Sequence, residues 1–435
     1  MNFAETTALE RLLRDAGYYP AEHEGEADAV ILNTCSVRAT AEERIAGRIG
    51  YYTHRKKERP LRLVVMGCMA QRLKEQLIEQ HPSVDFVIGT FEKERLPGLL
   101  RRTEAGTGGE ERRVYAEESS FSFQQMHLRE NDFRAFVPVM HGCNNFCSYC
   151  IVPYVRGREV SRDPAEILEE TAAMTRRGVR EITYLGQNVN SYRTTHAGRQ
   201  LDFPGLLRML LDSGQAPSWM RFITSHPKDV PDDLVTLLAE APQLCSHLHL
   251  PVQHGSTEIL RRMNRKYSRD DYLQLIGRIR ERVPHISLST DIMIGFPGET
   301  RQDFRDTLDL MREVRYDDAF TYYFNPREGT PAAEFSDQLS KSEKLARLNE
   351  VIELQREISR ENRRRLIGQT VWVLAEEVSK KSSRELLGRT EGNQMVVFPG
   401  SRDQIGDFFR LRLSDLMGNT FRGEAVHETA GSRHS

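Results

Sequence analysis

Gly142-Cys143-Asn144-Asn145-Phe146-Cys147-Ser148-Tyr149-Cys150 is the stretch around which the rest of the chain is organised. Three cysteines stand there at Cys-x3-Cys-x2-Cys spacing, and no fourth follows closely. A structural zinc site takes four ligands, usually from paired Cys-x2-Cys hooks. A bacterial ferredoxin run also supplies a fourth cysteine in sequence. Three thiolates on one loop instead fit a [4Fe–4S] cluster in which one iron keeps an open position; three buried or zinc-bound cysteines are the alternative. Asn144 and Asn145 favour a turn over a helix. Gly142 allows backbone to come close where a side chain would obstruct it.

Working outward, the stretch resembles the cluster loop of radical S-adenosylmethionine enzymes, including the aromatic Tyr149 before the last cysteine. The resemblance implies that Cys143, Cys147 and Cys150 hold a [4Fe–4S] cluster. Its open iron would chelate S-adenosylmethionine, and one electron would cleave that cofactor to a 5′-deoxyadenosyl radical.

From Ala135 to about Arg365 the chain repeats strand then helix. Strands are expected at Phe136–Met140, Glu181–Leu185, Met220–Thr224, His247–Val252, Ile286–Ile294 and Ala319–Phe324. Asp163 with Pro164, and Thr300, read as helix starts. This is the pattern of a partial (βα)6 TIM-like barrel, whose chemistry lies at the carboxyl ends of its strands. The strand ends carry Gly186-Gln187-Asn188-Val189-Asn190, Ser225-His226-Pro227, Pro251-Val252-Gln253-His254 and Asp291-Ile292-Met293-Ile294-Gly295. By resemblance Tyr149, Gln187, Ser225, Gln253, Asp291 and Gly295 are the cofactor-binding candidates, with Gly295 placed for close backbone approach to the nucleoside. His247 and His249 share one face of a strand and read as barrel-interior residues, and Cys245 reads as structural. Arg156 and Arg158, just after the loop, are candidates for contact with substrate phosphate or the cofactor carboxylate; a surface ion pair is the alternative.

The first hundred residues alternate helix and strand: a stripe from Ala8 to Leu13, strands at Asp28–Thr34, Leu61–Met66 and Val84–Ile88, and a helix from Ala41 to Arg55. This is an open parallel α/β sheet. Cys35 and Cys68 fall at the carboxyl ends of successive strands, where ligands of such sheets gather. Asn33-Thr34-Cys35-Ser36-Val37-Arg38 and Gly67-Cys68-Met69-Ala70-Gln71 resemble the amino-terminal domain of the radical S-adenosylmethionine methylthiotransferase family. That resemblance implies a second, auxiliary [4Fe–4S] cluster held by three cysteines, of which this chain supplies Cys35 and Cys68. Met1-Asn2 aligns with the end of the family's Gly-Cys-Gln-Met-Asn motif, so a start placed late, or a truncated product, is expected to account for the third; a genuinely two-cysteine cluster domain is the alternative.

Charged, Gly-containing sequence from Thr103 to about Asp132 reads as a linker, and Gly106-Thr107-Gly108-Gly109 in it as flexible. Ser340 and Glu343 form a capping-box signature opening a long helix. After Gly368 short strands follow at Val371–Val378, Glu385–Thr390, Gln394–Phe398, Phe408–Leu413 and Thr420–Val426. They resemble the TRAM domain, a small RNA-binding β-barrel, with Lys380, Lys381, Arg384 and Arg389 as phosphate-contact candidates. The expected organisation is therefore 1–104 amino-terminal domain, 105–128 linker, 129–365 radical core, 366–428 TRAM domain and 429–435 tail.

At 435 residues the chain exceeds one ordinary core, and its net charge of −2 gives no global attraction to nucleic acid. Six cysteines, three clustered, fit metal work in a reducing compartment, so a cytoplasmic location is expected. No apolar run reaches the ~20 residues of a membrane span. The family resemblance implies methylthiolation of a prenylated adenosine beside the anticodon of tRNA. It also implies S-adenosylmethionine as both methyl donor and radical source, a flavodoxin- or ferredoxin-type electron donor, and iron–sulfur assembly proteins as partners. The same chemistry on threonylcarbamoyl-adenosine or on a ribosomal-protein aspartate is the alternative, and a non-catalytic iron–sulfur or RNA-binding protein the remote one.

Overall fold

The computed structural model describes residues 2–35, 39–104, 113–114, 121–129 and 131–426. Ser36–Arg38, the Gly106–Gly109 run and the 429–435 tail lie outside them. The chain forms two compact units.

The first unit comprises 1–129, 140–162 and 327–330. Its parallel sheet runs in the order Ala29–Thr34, Arg62–Gly67, Phe86–Ile88, Arg113–Val114. The unbroken apolar run Leu63-Val64-Val65-Met66 suits a strand covered on both faces. Leu63 and Val65 pack with Ile49, Tyr52 and Leu77 on one face. Val64 and Met66 pack with Leu9, Leu96 and Leu99 on the other, as a period of two requires. The expected linker is more structured than its composition suggests. Arg113–Val114 extends the sheet, and Phe121 stacks on His141 with ring centroids 3.5 Å apart.

In the second unit six parallel strands form two sets of three. Arg134–Pro138, Glu181–Leu185 and Trp219–Ile223 make one, and His247–His249, Ser287–Ile294 and Asp318–Tyr323 the other. A bridge at Met220 and Leu244 spans the gap, giving the partial barrel. The first strand ends at Pro138 rather than Met140, and Met140–His141 instead pairs with Val160–Ser161 in the first unit. The fourth is shorter than expected because Pro251 has no N–H to give a ladder. Asp163 and Thr300 cap their helices as expected. Ser340 caps Lys341–Leu366, but the reciprocal half of its box is absent: the Glu343 carboxylate accepts from Arg347 instead.

Thr370–Val378, Glu385–Thr390, Met395–Pro399, Phe408–Met417 and Thr420–Ala425 close into a five-stranded barrel. Val373, Ala375, Leu386, Val396, Phe398 and Phe421 fill it. This small barrel sits on the larger one without a gap. Trp219 is fully buried against Cys245, Leu374 and Phe408, and the Arg221 guanidinium donates to the carbonyls of Thr390 and Glu391, each at 2.8 Å.

Candidate active site

The three-cysteine loop is closed by its own return strand. Gly142 has φ +79°, and a Cβ there would collide with the Arg158 carbonyl oxygen, so only glycine fits. Cys143 N–H donates to the Gly157 carbonyl at 3.2 Å, and Cys150 N–H to the Cys147 carbonyl at 2.9 Å. Asn144 is tied to Glu159 in both directions: its N–H and Nδ2 donate to the carboxylate, and Glu159 N–H donates to its Oδ1. Asn145 Nδ2 donates to Cys143 Sγ at 3.6 Å. Tyr149 sits half-buried in the turn before Cys150.

None of the three cysteines is in a disulfide among the described residues, and burial pushes the Cys143 thiol up to about 11. Among the described residues no three His, Cys, Asp or Glu side chains are set to grip one metal ion. The donor set fits a larger iron–sulfur cluster: three thiols on one pre-shaped loop, one already accepting an amide hydrogen bond.

In the same unit Cys35 and Cys68 follow Thr34 and Gly67, which are paired in register. Cys68 is buried with Ile151 and Val155, directly after the loop. Burial raises its pKa, while Arg156 opposes that rise. Here one sequence expectation is corrected. Arg156 is not free for phosphate: only 5% of its side chain is exposed, and it donates to both oxygens of Glu5, at 2.6 and 3.3 Å. Lys93 Nζ meets the same carboxylate at 3.1 Å. Burial acts to raise the Glu5 pKa, but Arg156 and Lys93 outweigh it and hold the carboxyl well below its usual range. His141, stacked on Phe121, lies 3.5 Å from Arg156 through Nδ1, while its buried Nε2 has no hydrogen-bond partner. Glu5, Lys93 and His141 carry no signal in the sequence; Glu5 and Arg156 are 151 residues apart.

At the barrel's strand ends, Ser225 Oγ donates to Asn190 Oδ1 at 3.2 Å. Asn188, missed in the sequence, knits this edge: Nδ2 donates to Asp229 at 2.6 Å and Oδ1 accepts from His226 N–H at 3.0 Å. Gln187 Oε1 and Asn190 Nδ2 are buried with no hydrogen-bond partner among the described residues, the kind of orphaned polar pair a polar cofactor satisfies. Gln253, at φ +73°, bonds backbone-to-backbone with Asp291 and Met293. Asp291 lies 3.6 Å from His249 Nε2, and the Ser289 hydroxyl joins His247 and His249, each at 3.0 Å. Gly295 has φ +64°, and the space for a Cβ is taken by Lys344, 2.5 Å away. Its close approach is to the protein's own lysine stem.

The family model described as Radical SAM superfamily matches residues 137–311, that of Uncharacterized protein family UPF0004 residues 1–89, and that of TRAM domain residues 364–426. The chain is 45% identical to the tRNA-2-methylthio-N(6)-dimethylallyladenosine synthase of Treponema pallidum, over 99% of this chain and 97% of the relative. It is 43% identical to that of Phocaeicola vulgatus, over 98% and 94%, and 44% identical to that of Bacteroides fragilis, over 98% and 93%. The chain belongs to the tRNA methylthiotransferase family. Among solved structures, the radical S-adenosylmethionine methyltransferase TsrM of Kitasatospora setae is similar in fold. Its TM-score is 0.53 at 16% identity, covering 76% of this chain and 69% of that one.

In this methylthiotransferase the carboxyl-terminal candidates divide. Lys380, Lys381 and Arg384 are exposed at one hairpin end. Arg389 is engaged by Glu376 at 2.9 Å and by Asn393 at 2.8 Å. Arg158 is exposed, its guanidinium 4.4 Å from the centre of the Phe146 ring. No helix among the described residues is long and apolar enough to cross a membrane.

Proposed function

We propose that this chain methylthiolates N6-dimethylallyladenosine 3′ of the anticodon in tRNA, giving 2-methylthio-N6-dimethylallyladenosine, by radical S-adenosylmethionine chemistry. The observation that carries this is near full-length identity of 43–45% to synthases of that name. The reaction replaces an unactivated aromatic C–H bond by S–CH3, beyond ordinary acid–base residues. When bound, an iron–sulfur cluster and S-adenosylmethionine supply that one-electron chemistry.

The chain's part is to hold and orient. Cys143, Cys147 and Cys150 are the thiolates for the radical cluster, on a loop whose turn is braced by Asn144 and Glu159. Gln187 and Asn190 offer unsatisfied buried polar atoms to S-adenosylmethionine, with Tyr149, Ser225, Gln253, Asp291 and Gly295 as further candidates. Cys35 and Cys68 are two thiolates that would hold an auxiliary cluster, which would supply the sulfur to be transferred, with S-adenosylmethionine as the methyl donor. Lys380, Lys381 and Arg384 contribute phosphate contacts to the anticodon stem-loop. A flavodoxin- or ferredoxin-type donor supplies electrons, iron–sulfur assembly proteins load the clusters, and the cytoplasm is the site of action.

Nucleoside analysis of tRNA from a strain lacking the gene, with and without this chain restored, tests the reading. Restoration of the methylthio-dimethylallyl nucleoside is expected. Its absence, with a methylthio group appearing on threonylcarbamoyl-adenosine or on ribosomal protein, would overturn the acceptor assignment.

A further inference from the structure

The cluster loop presents an aromatic group that its packing does not require. Tyr154 is 51% exposed, four residues after Cys150. Its ring meets Phe146 edge-to-face, centroids 6.1 Å apart, and Phe146 lies between Cys143 and Cys147. Arg158 covers a face of Phe146 at 4.4 Å and is itself exposed. Tyr154 is exposed and Phe146 only half-buried. Phe146 nonetheless adopts φ +47°, a conformation a bulky side chain rarely takes without support. The support is visible: the Arg158 backbone is seated on Gly142, and the adjoining Glu159 is bonded to Asn144 from both sides. The group is therefore held in place before anything binds.

An exposed tyrosine and a solvent-facing guanidinium, both set against one phenylalanine, match the way proteins take unpaired RNA bases, by stacking on aromatic faces and pairing the adjoining phosphate with arginine. Tyrosine suits this because its ring is apolar while its hydroxyl tolerates water. We propose that Tyr154, Phe146 and Arg158 form a stacking platform on the cluster loop that receives an unpaired purine of the tRNA. Tyr154 takes the base, Phe146 braces Tyr154 and Arg158, and Arg158 meets the phosphate. This rests on the tRNA reading above and adds that the loop carrying the thiolates also grips substrate. Base capture and chemistry then share one short segment of chain.

The test uses the full chain and a synthetic anticodon stem-loop RNA with 2-aminopurine in place of a loop purine next to the target adenosine. Stacking on tyrosine quenches its fluorescence. Wild type should bind with quenching. Tyr154→Ala should bind about 10-fold more weakly, as loss of one base stack implies, with the quench reduced. Tyr154→Phe and Tyr154→Trp should keep both, which also excludes misfolding at this position as the cause. Arg158→Gln should lower the salt slope of binding by about 0.7. Binding and quenching by Tyr154→Ala equal to wild type would overturn the platform, as would a Tyr154→Phe variant as weak as Tyr154→Ala. If wild type fails to bind the stem-loop at low salt, the tRNA reading fails first and the platform with it.

Discussion

Removing the Glu5 charge should be among the most costly conservative changes in this protein. Its carboxylate is the common partner of two buried cations, 2.6 Å from Arg156 and 3.1 Å from Lys93, with side-chain exposures of 6%, 5% and 9%. Glu5→Gln preserves shape but leaves both cations without a counter-charge, and breaking a buried pair this way costs about 3–5 kcal/mol. For a unit of this size each kcal/mol lowers the midpoint by about 2–4 °C, so the unit's transition should fall by roughly 6–20 °C. Differential scanning calorimetry of wild type, Glu5→Gln, Arg156→Met and the double variant closes a cycle. The double variant should be less damaged than the sum of the singles. The pH dependence has a definite sign. Because the folded pKa of Glu5 is depressed, its stabilisation is complete above the ordinary carboxylate pKa near ~4.3 and is lost as pH falls through the folded value. Wild type and Glu5→Gln should therefore converge in acid. A Glu5→Gln transition within ~2 °C of wild type at neutral pH would refute the reasoning.

Cys147→Ala should abolish 5′-deoxyadenosine formation from S-adenosylmethionine by the reduced, reconstituted protein; formation at the wild-type rate would remove the radical assignment from this loop. Changing Lys380, Lys381 and Arg384 together to Gln should cut the salt slope of tRNA binding by about 2, at ~0.7 for each phosphate no longer neutralised. An unchanged slope would move the RNA grip elsewhere. Deleting everything after Gly368 should lower the barrel's melting point or its yield in the soluble fraction, because Trp219 and Arg221 lose their cover; unaltered calorimetry would contradict that packing. Burial, reinforced by Arg221, pushes His247 down to about 3. The unfolded chain then binds the extra proton between roughly 6.5 and 3, so stability falls with pH there. His247→Gln should flatten this acid limb in pH-dependent urea titrations.

The three-cysteine loop is readable because its pattern is local: three thiols and a turn in one short segment. The strands of the first unit are readable for a related reason, since Leu63–Met66 can only be covered on both sides. What cannot be read is destination. Arg156 and Arg158 look alike in sequence, yet the short helix Val152–Arg156 ends between them. One therefore points into the protein toward a glutamate near the chain's start, and the other into solvent. Gly295 is legible as a close-approach glycine, but not that Lys344, from a later helix, fills the space. Phe121 lies in sequence whose composition suggests only a linker; its stacking on His141 depends on long-range packing that no local pattern encodes.

The junction at Trp219 and Arg221 has a consequence for the proposed RNA grip. An RNA-binding module on a flexible tether raises local concentration but leaves the reach between grip and reaction variable. Here the module's strand edge and a barrel strand share a buried indole and a guanidinium that caps two of its carbonyls. The span from the hairpin at Lys380–Arg384 to the ends of the barrel strands is thereby fixed, like the opening of a set caliper. If that hairpin grips tRNA as proposed, selection among RNAs depends on the length of the stem lying between the two ends.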